Sequence, residues 1–174
     1  WAAGSLAGFA LAARLLSKGA DMYRLAANGM LVGVIGFCAV VFAEPLAAAH
    51  LFRAGAFTIG FGGGLFAVGT LLAAMDIARS SDHGMAIGAW GAVQATSIGA
   101  ALALGGLVRD GVNGLVANQL GEGTLVAPVA GYSVVYHIEI GLLFAALVVI
   151  GPLVGHRSTQ TRSSEPFGLA ELPG

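Results

Sequence analysis

Residues 54–75 read AGAFTIGFGGGLFAVGTLLAAM, with no charged side chain among them. A helix rises 1.5 Å per residue, so this run reaches roughly 30 Å, the thickness of a bilayer's hydrocarbon core. Gly55, Gly60, Gly62, Gly63, Gly64 and Gly69 all fall within it. In water each would cost a helix roughly 1 kcal/mol against alanine. In lipid the backbone has no water to bond, so the helix persists and the glycines become contact surface. The run reads as an interior helix of a membrane bundle. Gly60, Gly62, Gly63 and Gly64 form its close-packing face, flat enough for a neighbouring helix or a flat ligand.

The rest of the chain agrees. It is 57% hydrophobic and 10% charged, with a mean hydropathy of +0.85. Soluble domains average about 25% charged residues. The fold class is therefore all-α integral membrane, a transmembrane helix bundle whose first partner is the lipid bilayer. A net charge of −1 provides no basic patch and argues against a nucleic-acid partner. Cys38 is the single cysteine and reads as a small packed hydrophobe. The chain opens at Trp1 inside an apolar run with no charged region before it. That is not a signal peptide, and it reads as a fragment lacking an upstream part.

Five segments suit spans: 1–16, 25–43, 51–76, 84–108 and 132–155. Together, 1–155 form the bundle and 156–174 a polar tail expected to be disordered. The connection from Arg109 to Gly131 is expected to be an irregular external loop, because Gly111, Gly114, Gly121, Gly123 and Pro128 punctuate it. NGLVANQL within it could form a short surface helix. Arg14, Lys18, Arg24, Arg79, Arg157 and Arg162 fall on one side if each segment crosses once. Arg53 and Arg109 fall on the other. The positive-inside rule then puts the C-terminus in the cytoplasm.

Gly62 to Ala67 fits G-x-G-x-x-A, but a dinucleotide site needs that motif between a strand and a helix start, not mid-membrane. No metalloprotease, P-loop or cysteine-cluster motif is present, and serines and histidines are too scattered for a triad. No enzyme chemistry is visible. Intramembrane polar residues are the better lead, because they are costly and face bundle interiors. Gln94, with Thr96 and Ser97, suits a hydrogen bond between helices. His137 and Glu139 lie about 8–10 Å into the last segment. Two residues apart on a helix, they point about 200° from each other, which does not favour one dyad. Glu139 shares a face with Tyr136 and Tyr132, and His137 with Ser133 and Gly141. Two roles suit His137: a structural bond to a neighbouring helix, or ligation of a chlorin magnesium with Gly141 leaving room for the ring.

The strings GFGGGLFAVGTLLAAM, HGMAIGAWGAVQATSIGAALALGGLVRDGV and YSVVYHIEIGLLFAALVVIGPLV resemble the PucC/LhaA family. This is the bacteriochlorophyll-delivery branch of the major facilitator superfamily. The resemblance implies the C-terminal portion of that twelve-helix fold, with about five helices present and an N-terminal half missing. It implies bacteriochlorophyll as cargo, light-harvesting antenna polypeptides as partners, and a bacterial inner or photosynthetic membrane. One departure bears on function. The superfamily's G-x-x-x-D-R loop motif would begin at Gly8, yet Ala12 and Ala13 stand where its acid and arginine belong. That weakens the alternative reading, a secondary transporter moving a small solute by alternating access. The favoured expectation is a membrane assembly factor for light-harvesting complexes that binds or delivers pigment.

Overall fold

The computed structural model describes residues 1–78, 82–120 and 126–160. They form five helices: α1 (Ala2–Ser17), α2 (Met22–Ala43), α3 (Ala49–Ile77), α4 (His83–Leu120) and α5 (Val126–Gln160). Among the described residues there is no strand. The protein is an all-α membrane bundle. Helices α2 to α5 are each long and apolar enough to cross a bilayer, and α1, at 16 residues, is shorter. Large apolar side chains on the outside, such as Ile35, Phe42, Leu102 and Phe144, suit contact with lipid.

The glycine-rich helix α3 stands in the middle, gripped on two opposite sides. On one side, a β-carbon at Gly60 would collide with the Trp1 carbonyl, and one at Gly64 would lie 2.6 Å from the Ser5 carbonyl oxygen. Reciprocally, Gly4 and Gly8 meet the carbonyls of Phe57 and Phe61. Residue numbers rise together across this contact, so α1 and α3 run parallel. About 200° around α3, the order reverses. Gly55 faces Gly36, Gly62 faces Gly29, and a β-carbon at Gly69 would lie 2.7 Å from the Met22 carbonyl oxygen. These antiparallel contacts between α2 and α3 recur every seven residues, the repeat that keeps a seam facing its partner. Glycine at each crossing lets the two backbones come close enough for Cα–H···O contacts, a weak attraction of about 0.5–1 kcal/mol each. Ala12, Leu25 and Leu65 close the core where the three helices meet.

The expected single flat face is thus two faces, and Gly63 belongs to neither. It is exposed, and a β-carbon there would meet nothing within 4 Å. Its direction is about 100° from both Gly62 and Gly64, so neither α1 nor α2 reaches it.

Helices α4 and α5 pair with each other and lean on this three-helix unit. The Tyr136 ring lies 6.2 Å from that of Phe37 on α2, and Gly33 faces Leu143. Trp90 on α4 donates from Nε1 to the Thr70 hydroxyl on α3 at 3.2 Å. Most of α4 otherwise shows open glycine: at Gly84, Gly88, Gly91 and Gly99 a β-carbon would meet nothing within 4 Å.

The stretch expected to be a loop is mostly helix. Helix α4 continues through Arg109 to Leu120, and α5 begins at Val126. Gly111 and Gly114 each cost about 1 kcal/mol against alanine, yet they do not end the helix. Contacts to α5 hold it: Asn113 Oδ1 accepts from the Gly131 N–H at 3.1 Å, and Arg109 Nη1 donates to Tyr132 Oη at 3.1 Å. Pro128 falls in the first turn of α5, where no N–H has a partner inside the helix anyway. Residues 121–125, including Gly121 and Gly123, lie outside the described residues. The helix α5 also takes in residues 156–160, the start of the expected tail, and 161–174 lie outside the described residues.

Two clefts fix which connections share an end. One is lined by Gly19, Asp21, Met22, Leu72, Asp76 and His83, so the α1–α2 turn and the α3–α4 end lie together. The turn itself is made by Gly19, at φ 84, and by Asp21, whose carboxylate accepts from the Arg24 N–H at 2.9 Å and caps α2. The other cleft joins the α2–α3 turn to the start of α5 at the opposite end.

Candidate functional site

The polar residues of α5 are distributed by helical phase. Tyr132 and Tyr136 are one turn apart, and their rings stack at 6.3 Å and 24°. Tyr136 turns toward α2. Tyr132 turns toward α4, where the Arg109 guanidinium sits 5.5 Å from its ring centroid and also bonds its hydroxyl. Arg109 is held from its other side by Asp110, at 2.7 Å. The cluster ties α4 to α5 at the level where both leave the shorter helices behind.

Glu139 is half-buried and lines a groove of about 370 Å³ between α4 and α5, with Ile98, Leu102, Gly105, Gly106 and Arg109. Tyr132 lines it too, as its shared face with Glu139 requires. Tyr136 does not. It borders the groove beside α2 and the α2–α3 turn, which Tyr132 also lines, so Tyr132 touches both grooves while Tyr136 and Glu139 each touch one. Gln94 is half-buried on α4, eleven residues before Gly105, which is about 16 Å along the axis. It does not join the α5 group.

His137 takes a third direction. It is exposed, as is Gly141 one turn on, where a β-carbon would meet nothing within 4 Å. Its Nδ1 lies 2.7 Å from the Ser133 carbonyl oxygen of its own helix. A carbonyl can only accept, so Nδ1 carries the proton and donates. In the neutral ring Nε2 then carries the free lone pair. Among the described residues, no group of three His, Cys, Asp or Glu side chains is placed to hold a bare metal ion. A lone imidazole is instead suited to a metal already held by a macrocycle, as the axial histidine is in haem proteins.

The pairing of Arg109 with Tyr132 and the groove at the α2–α3 turn were not read from the sequence. The available signal for the first was a basic residue and a tyrosine near facing ends of two apolar segments, where interfacial anchors concentrate. The second had none.

The family model described as "PUCC protein" matches residues 1–158. The chain belongs to this family. Its relatives within and around the PUCC family include an "Uncharacterized protein in puhA-bchM intergenic region" of Rhodobacter capsulatus, 46% identical over 99% of this chain and 37% of the relative. "Protein PucC" of Cereibacter sphaeroides is 40% identical, and "Protein PucC" of Rhodobacter capsulatus is 41% identical. Each match covers 88% of this chain and 32% of the relative. The chain thus spans about a third of the length of these relatives. No solved structure matches it.

Proposed function

We propose that this chain is part of a membrane factor for assembling photosynthetic light-harvesting complexes, and that it binds or delivers bacteriochlorophyll. Membership of the PUCC family supports a role related to photosynthetic complex assembly. The observation that carries the pigment reading is His137. Its Nδ1 is committed to Ser133, which leaves the Nε2 lone pair for a ligand, and the residue is exposed on α5. An unpartnered polar atom in hydrocarbon costs on the order of 1–3 kcal/mol. The magnesium of a chlorin, open on one axial side, removes that cost, and Gly141 leaves the approach clear. Antenna polypeptides are the receiving partners on this reading. The host is a bacterial inner membrane, with the basic end of the bundle in the cytoplasm. On this reading the chain holds its cargo and does not transform it.

The test is the pigment content of the intact membrane protein carrying this chain, purified in mild detergent from a phototrophic host. The bacteriochlorophyll bands in its absorption spectrum should fall strongly in His137→Leu while the protein remains in the membrane at its normal level. His137→Asn keeps a polar group but is a poor ligand, so it should follow His137→Leu. Unchanged pigment in both would remove His137 from the site.

A further inference from the structure

We propose that the groove at the α2–α3 turn receives the isoprenoid chain of a pigment whose macrocycle is ligated by His137. The inference rests on the reading of His137 given above. The groove has a volume of about 620 Å³, within the usual range of about 300–1,000 Å³ for small-molecule sites. Its walls are mostly apolar: Val40, Val41 and Ala43 on α2, Phe52 on α3, and Val129 on α5.

Small residues keep it open. Ala47, Ala48 and Ala49 line it where α2 turns into α3. Ala47 adopts φ 48, a left-handed conformation that costs a non-glycine residue roughly 1–2 kcal/mol. The turn accepts that cost, and its three alanines present only methyl groups to the groove.

Ser133 connects the groove to His137. Its side of α5 lines the groove, and its carbonyl oxygen accepts from the His137 ring. Side chains on a helix lean toward its N-terminus, and here the N-terminal side of α5 is the groove side. The imidazole is therefore folded against the rim, and a group bound at Nε2 lies at the mouth. A rigid, flat macrocycle needs the open approach past Gly141. A flexible branched chain can enter between the valine methyls and Phe52. Glu44 also lines the groove. Its carboxylate repels an anionic head group, which disfavours a phospholipid as the occupant.

The experiment titrates the intact membrane protein in mild detergent with two probes, bacteriochlorophyll a and bacteriochlorophyllide a, which lacks the esterified chain. Val129→Phe and Ala49→Phe each fill the groove from a partly or fully exposed position, so the fold should tolerate them. Elution as a single species checks this. Both variants should weaken bacteriochlorophyll a binding by about tenfold, roughly what two buried methylenes supply. Binding of bacteriochlorophyllide a should not change. His137→Leu should weaken both probes. If His137→Leu weakens both while neither groove variant affects either, the groove assignment is overturned and the ligand role stands. Equal weakening of both probes by the groove variants would put the ring in the groove and also overturn the assignment. If His137→Leu affects neither probe, the underlying reading fails.

Discussion

Gly62 and Gly63 are adjacent in the chain and have opposite constraints. A side chain at Gly62 would drive into the Gly29 carbonyl of α2, whereas one at Gly63 would enter open space. Gly62→Leu should therefore lower stability by about 1–3 kcal/mol or more, the usual cost of overpacking, and Gly63→Leu should lie near the wild type. Thermal inactivation of the two variants in one detergent measures the difference. Gly64→Leu belongs with the first, because α1 backbone stands 2.6 Å from its β-carbon position. That glycine would mediate close contact was legible from the sequence. Which glycine meets which helix was not, since the phase of α3 is set by where α1 and α2 stand.

Helix α4 shows where element boundaries are hard to read. Arg109 and Asp110, followed by Gly111 and Gly114, have the composition of a membrane exit and a loop. The exit reading fits the residue types, since Arg109 and Tyr132 make an interfacial cluster. The loop does not follow, because packing on α5 outweighs the helix cost of two glycines. Over its 38 residues α4 is about 57 Å long, nearly twice the hydrocarbon thickness, so part of it must stand outside. In a Cys38→Ser background, single cysteines from 110 to 119 should react with a water-soluble maleimide in a pattern of period 3.6. Asn113 and Val116 should be slower than Leu115 and Asn118, which are more exposed. A uniform rate along the stretch would contradict a continuous helix.

Across the whole molecule, the all-α class and the order of apolar segments were legible, because hydropathy alone specifies them. The neighbours of α5 were not, since no local pattern says that Tyr136 meets Phe37 on α2. The bundle has a basic end, with Arg14, Lys18 and Arg24 around the α1–α2 turn, and that end is the cytoplasmic one on our reading. A cysteine at Asn118 should then label from the periplasm in intact cells, and one at Lys18 only after permeabilisation. The opposite pattern would invert the orientation. The contacts of α3 also divide the molecule mechanically. Glycine crossings lock α1, α2 and α3 along their lengths, whereas among the described residues of α4 and α5 no side chain is buried, and they meet that unit through partly exposed groups such as Trp90, Tyr136 and Leu143. Elements with few buried contacts open at lower free energy. Drawn out of a membrane by its C-terminus with an atomic-force tip, the chain should release α5 and α4 early, at modest force. The three zipped helices should resist as one block and yield together in the last and steepest peak.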